Sequence, residues 1–367
     1  MMNIEQRNVG IDILRAISML MIAVHHVLLH GSILAQADPL TSQYRVAWFM
    51  EITCFCAVNV YGMISGYVGY GKSHHLSRFL QLYFQVIFYT MVTTMIFHFI
   101  RPELVTGKIV LHAIFPFAFD VYWYYTGYFC LFFLMPFLDR LMEGLTRKEA
   151  DRLMLTVFII FCVVQTIFNQ QFSFSNNGYS FLWLAIMYLA GTYIKKYDLG
   201  KGNGRNYLIG YFLCVLLIWF LKIGYERIIY IWTLEQRSSE RFINYTSPFV
   251  ALCAVCLVIA FKEMKKGKIA SKIAKFLASV SFGVYLFHDA PLVRDTFILG
   301  AFSSYLFLNS AVMMAAVLGT ALAIWLIGSL IGRLRILIFS LFRMNKLCDI
   351  LAAGLENLTG RLLKYNS

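Results

Sequence analysis

Long apolar runs, each about 17 to 25 residues and repeated along the whole chain, limit this sequence more than any other feature. Runs of that length match a hydrocarbon core roughly 30 Å thick. In lipid the backbone must satisfy its own polar groups, which leaves helices or a closed barrel, and the runs lack the alternation of barrel strands. The fold class is therefore all-α, a polytopic membrane helical bundle. Composition agrees: 60% of residues are hydrophobic and 14% charged, where an ordinary soluble domain has roughly a quarter charged.

The runs predict about ten transmembrane helices, at 11–30, 48–70, 79–100, 122–140, 153–170, 179–195, 206–225, 247–262, 276–293 and 304–331. Lys and Arg test this count, because cytoplasmic loops are enriched in them. With ten spans, 23 of the 32 basic residues fall in loops on the side of both termini, eight fall on the other side, and Arg15 lies within the first helix. The N- and C-termini are thus expected in the cytoplasm. The net charge of +13 belongs to these loops and orients the chain in a bilayer; it does not point to nucleic acid.

The eight cysteines lie mostly inside apolar runs, without zinc-site spacing or a secreted disulfide framework, and read as small buried hydrophobes. The first run lacks the cleavage site of a removable signal peptide, so it is expected to be retained. Residues 1–335 read as the membrane domain. Residues 336–367 read as an amphipathic cytoplasmic tail, with Leu347, Ile350, Leu351, Leu355, Leu358 and Leu362 spaced three to four apart. Gly200, Gly202 and Gly204 read as a turn. The outer segment 222–246, rich in Tyr, Trp, Arg and Glu, is either a sugar-contacting cover or an ordinary solvated loop.

Ionisable side chains inside membrane helices are expensive, and each is a functional candidate until a partner accounts for it. The first helix carries Asp12, Arg15, His25, His26 and His30. From Arg15 to His26 is a rotation that returns within about 20° of its start and an axial rise of about 16 Å. One helix face thus holds a cation near the cytoplasmic surface and an imidazole deep in the bundle. Such a pair suits a ligand with an anionic end and a distant reactive end: Arg15 can grip phosphate, and neutral His26 can take a hydroxyl proton or attack a thioester. The plainer alternatives are an Arg15 that snorkels to the interface and a His26 that is merely buried and hydrogen-bonded. Asp12 is placed to orient Arg15 or compete for it.

His26 and His30, one turn apart, have metal-ligand spacing, but no HExxH pattern or acidic cluster accompanies them, and no metal is expected. Glu51 reads either as a group that orients a histidine or as an interface residue. Trp123, Tyr124 and Tyr128, in an aromatic cluster, are either an interface belt or a stacking platform for a sugar ring. His288, beside Asp289, is either a further site histidine or a helix-end charge.

In these residues the chain resembles the membrane acyltransferase 3 family, which includes bacterial surface-polysaccharide O-acetyltransferases. Gly10-Ile11-Asp12-Ile13-Leu14-Arg15, followed by ten residues and His26, matches the family's Arg-x10-His signature. Asn59 through Ser65-Gly66-Tyr67 with Lys72 and Arg78 is similar to its second-helix motif. Tyr122-Trp123 through Pro136-Phe137-Leu138, and Ser281 through His288, are similar to later landmarks. The resemblance spans nearly the whole chain in order. It implies cytoplasmic acetyl-CoA as donor, held by Arg15, Lys72 and Arg78, and Arg15 with His26 as the catalytic pair. It implies a carbohydrate hydroxyl as acceptor, contacted by Trp123, Tyr124, Tyr128, Glu51 and His288, on a cell-surface or capsular polysaccharide or its lipid-linked precursor. It also implies a multi-pass protein of the bacterial cytoplasmic membrane, without the soluble esterase-like domain fused to some members. The doublet His25-His26 departs from the pattern, and spacing favours His26. From another class, a transporter or flippase of a lipid-linked sugar would also line its path with intramembrane charge.

Overall fold

The computed structural model describes residues 7–172, 174–264 and 268–365, and every regular element among them is helical. Helix α1 (Val9–Leu29) is capped by Asn8, whose side chain accepts from the Ile11 amide at 3.1 Å and donates to the Lys262 carbonyl at 2.9 Å. The short α2 (Ile33–Gln36) follows. Then α3 (Ser42–Phe55) and α4 (Ala57–Gly69) form one broken rod of 28 residues. Next come α5 (Leu76–Ile100), the short α6 (Gly107–Ile114) and α7 (Trp123–Gly144). Helix α8 (Arg147–Phe158) opens with a Thr146/Glu149 capping box and runs through a π-helical turn into α9 (Gln165–Phe168). The remaining helices are α10 (Phe181–Lys196), α11 (Gly204–Thr233), α12 (Pro248–Lys262), α13 (Lys268–His288), the single turn α14 (Pro291–Val293), α15 (Ser310–Leu341) and α16 (Met344–Tyr365).

Six of these rods are long and apolar enough to cross a membrane, and a seventh joins them if α13 and the segment after it, bent by 61° at Asp289 and Ala290, count as one span. Four of the ten predicted spans are not among the six: the fourth and sixth, α7 and α10, do not qualify as long apolar rods, and two more are built differently from the even rods that hydropathy suggests. The ninth is the bent pair, and the eighth, α12, is a shorter apolar helix. The Lys265 and Lys266 charges and the side chains of Arg361, Leu362 and Lys364 lie outside the described residues.

Burial separates the rods into two shells. The windows of α1 and of the α3–α4 rod are 67% and 83% buried, whereas those of α5, α8, α11 and α15 are 11–28% buried. The outer rods turn Phe99, Leu155, Phe212, Phe220, Leu326 and Leu330 outwards, and an apolar side chain facing outwards on an apolar rod is at home in lipid. On α16, Cys348 and Ala352 are buried while Leu347, Ile350, Leu351, Leu355 and Leu358 form an exposed apolar stripe suited to a membrane surface.

Close approach in the inner shell rests on glycine. A Cβ on Gly66 would lie 1.9 Å from the Tyr188 carbonyl oxygen, and one on Gly191 would lie 1.9 Å from that of Met63. With Gly62, which faces Met187, α4 presents a small-xxx-small face to α10, the usual device for bringing membrane helices into backbone contact. Gly200 and Gly202 take positive φ in the α10–α11 connection, so the glycine-rich stretch is a turn.

The segment expected as the outer loop 222–246 is in its first half helix, because α11 continues to Thr233. Lys222, expected in that loop, is fully buried: its ammonium contacts Glu226 at 2.5 Å, the Ser239 carbonyl at 2.8 Å and the Trp48 ring face at 3.6 Å. These contacts hold the 234–247 segment against α3. The Asn59 amide, inside α4, donates to the Tyr245 carbonyl and accepts from the Trp183 indole, both at 2.8 Å. Tyr245 is thereby carried into the centre of the bundle.

Candidate active site

Arg15 and His26 line two cavities that meet. The first, about 540 Å³, is lined by Arg15, Lys72, Arg78, His74, Tyr128 and Ser65 among others. The second, only about 30 Å³, is lined by His25, His26, Trp123, Tyr245 and Tyr285. Tyr61, Tyr124 and Phe282 border both, so they form the wall between a wide vestibule and a narrow chamber. A third cavity of about 740 Å³ is lined by Arg101, His112, Asp120, Tyr122, Arg294 and Asp295 with four threonines, and by Ala290, next to Asp289 in the chain.

No carboxylate among the described residues lies within ion-pairing distance of Arg15, Lys72 or Arg78. Asp12, expected to orient Arg15 or compete for it, instead forms a double contact with Arg7. Arg15 is fixed through its backbone, whose carbonyl accepts from the Tyr61 hydroxyl at 2.8 Å. Three free cations on one vestibule make an anion-binding surface, and the guanidinium fork of Arg15 fits a phosphate.

The histidine tautomers follow from a chain of contacts. His288 Nδ1 lies 2.6 Å from the Val284 carbonyl, which can only accept, so Nδ1 carries the hydrogen. In the neutral ring His288 Nε2 is then an acceptor, and it lies 2.9 Å from His26 Nδ1. His26 must donate through Nδ1, which leaves the Nε2 lone pair free as base or nucleophile. His288 therefore does for His26 what the carboxylate does in a catalytic triad: it sets orientation and tautomer. Asp289 stands behind, 4.0 Å from His26 Nδ1 and 3.9 Å from His30 Nε2, beyond hydrogen-bond range, with the Arg294 guanidinium 3.5 Å from the same oxygen. Arg294 reaches it from a π-helical turn, a local widening often found at functional sites.

The sequence spacing of His26 and His30 lacks a third ligand, and the bend after α13 brings one: donor atoms of His26, His30 and Asp289 lie within 4.8 Å of one another. These are the residues that could be drawn around a divalent ion. The Arg294 charge already compensates that carboxylate.

The other expected site residues are distributed as follows. Glu51 is buried, and its Oε1 lies 2.6 Å from His25 Nδ1, the contact to a histidine that was one of the two readings of this residue. Trp123 and Tyr124 border the His26 chamber, while Tyr128 lies in the Arg15 vestibule, its ring 6.3 Å from that of Tyr124 and nearly parallel to it.

Sequence reasoning did not single out His74, Asp139, Tyr61 or Tyr245 as site residues. His74 Nε2 lies 2.9 Å from Asp139, whose other oxygen accepts from Tyr188 at 2.9 Å, and this chain fixes the loop that holds Lys72. A carboxylate at the end of an apolar run was a visible signal for Asp139; the loop histidine and the two tyrosines gave none.

A helical bundle of apolar rods with an arginine and an oriented imidazole facing adjoining cavities has the features of a polytopic membrane enzyme. The comparison with known families makes this specific: residues 8–331 match the family described as "Acyltransferase domain", of the acyltransferase 3 type, and the chain belongs to that family. It is a membrane acyltransferase. No curated protein and no solved structure matches it.

Proposed function

We propose that the protein transfers an acetyl group from cytoplasmic acetyl-CoA to a carbohydrate hydroxyl of a bacterial cell-surface or capsular polysaccharide or its lipid-linked precursor. One observation carries this reading: Arg15 and His26 border two adjoining cavities that share Tyr61, Tyr124 and Phe282. CoA phosphates pair with Arg15, Lys72 and Arg78, and the pantetheine arm runs about 16 Å along α1 to bring the thioester to His26. The chamber there has room for little more than water, so Tyr61, Tyr124 and Phe282 part to admit the acyl group. In the same reading α7, α10 and α12 cross the bilayer with the apolar rods, giving ten spans in a bacterial cytoplasmic membrane with both termini on the donor side.

The test is purified protein in detergent with radiolabelled acetyl-CoA and candidate glycans. Label transfer that disappears in Arg15→Ala and His26→Ala is expected. Glycan movement across proteoliposomes without label transfer, or full transfer by His26→Ala, overturns the reading.

A further inference from the structure

The chamber at His26 has a second imidazole on its wall, and that one is paired differently. His25 and His26 have ring centroids 5.3 Å apart and both line the chamber. His26 leans on a neutral histidine, whereas His25 Nδ1 faces the Glu51 carboxylate at 2.6 Å. Glu51 is 2% exposed, and its other oxygen, also buried, has no hydrogen-bond partner. A buried carboxylate with one partner stabilises positive charge that forms on that partner, so the pair is built for His25 to take up a proton through Nε2 while Nδ1 faces Glu51. His26 has no such arrangement: its nearest carboxylate, 4.0 Å away, is shared with Arg294. Two adjacent imidazoles whose surroundings differ in this way fit two different tasks.

We propose that the site divides the chemistry between the two histidines, with His26 taking the acyl group and the His25–Glu51 dyad taking the acceptor's proton. This rests on the acyl-transfer reading above. In the first step His26 Nε2 bonds to the thioester carbonyl carbon, the carbon–sulfur bond breaks, and its electron pair leaves on the CoA thiolate. The His26 Nδ1 proton passes to His288 Nε2, leaving a neutral acyl-imidazole. In the second step the acceptor oxygen bonds to the acyl carbon while its proton goes to His25 Nε2, forming an imidazolium against Glu51. The carbon–nitrogen bond breaks, its electrons return to His26 Nε2, and His288 returns the proton to His26 Nδ1. The proton on His25 is released to the CoA thiolate, so the sum is ester plus CoA thiol.

The two steps are read separately. Exchange of radiolabelled CoA into acetyl-CoA by the purified full-length protein reports the first. Alkali-labile acetate on the envelope glycans of cells expressing the protein reports the whole reaction. Glu51→Gln, which keeps the side chain's volume and a hydrogen-bonding oxygen, is expected to cut glycan acetate about 10²-fold or more at equal membrane abundance, while exchange falls less than threefold. His26→Ala is expected to lose both. Wild-type glycan acetate in Glu51→Gln overturns the division of labour and leaves the acyl-transfer reading standing. So does loss of exchange in Glu51→Gln, or the absence of exchange in the wild type. Full activity of His26→Ala would instead overturn the underlying reading.

Discussion

At the scale of single residues, direction matters more than identity. The first helix carries three histidines within six positions, and no property of the letters separates them. Their partners do: Glu51 for His25, His288 for His26, and a distant Asp289 for His30. His288→Ala removes the group that holds His26 in its Nδ1–H tautomer, so acetyl transfer should fall about 10²-fold with little change in the KM for acetyl-CoA. Steady-state kinetics on the purified variant checks this. Arg15→Lys keeps the charge but loses the planar fork, and should raise that KM about tenfold while sparing kcat. An unchanged KM would remove Arg15 from the donor site.

At the scale of elements, the sequence was most legible where an element serves the bilayer. The Arg15 and His26 stripe, α5, α11 and α15 follow from hydropathy and helix period alone, because lipid asks only for length and apolar surface. The breaks are less legible. Nothing local announces the break at Cys56 between α3 and α4, whereas the bend after His288 has a local signal in Pro291, which opens α14 and ends the run before it. Glycine packing lies between these cases, since Gly62 and Gly66 show the spacing but not the partner. Gly66→Ala should lower stability in detergent by about 1–3 kcal/mol, because its Cβ would meet backbone rather than a side chain that can move. Gly144→Ala, where a Cβ meets nothing within 4 Å, serves as the control, and equal melting temperatures would argue against the tight α4–α10 contact.

The α10–α11 turn gives an element-scale prediction with a sign. The buried Lys262 ammonium contacts Asp198 at 2.6 Å and Glu263 at 2.8 Å, and these contacts hold both carboxyls below the usual carboxylate range. A lowered folded-state value means the stabilisation is present above the ordinary carboxylate range and fades as pH falls through it. Asp198 is exposed and Glu263 partly so, and solvent screening keeps the effect modest. Lys262→Met should flatten the loss of melting temperature between neutral and strongly acidic pH.

At the scale of the whole molecule, topology is the open quantity that an experiment can read directly. In a cysteine-free background, Lys201→Cys should react with impermeant maleimide only from the donor side of sealed vesicles, and Gln236→Cys only from the other. Labelling of both from one side would refute the ten-span arrangement.

The amino-acid sequence alone determined that this chain dissolves in lipid as helices, and that Arg15 and His26 share a helix face, because solvent and helical period act on every residue locally. Only the tertiary structure decided which groups complete the site. Glu51, His288 and Tyr245 reach the two histidines from other helices and a folded-over segment, and Asp12 goes to Arg7 instead of Arg15. Those pairings depend on distances between segments far apart in the chain, which helix packing sets and local pattern does not encode.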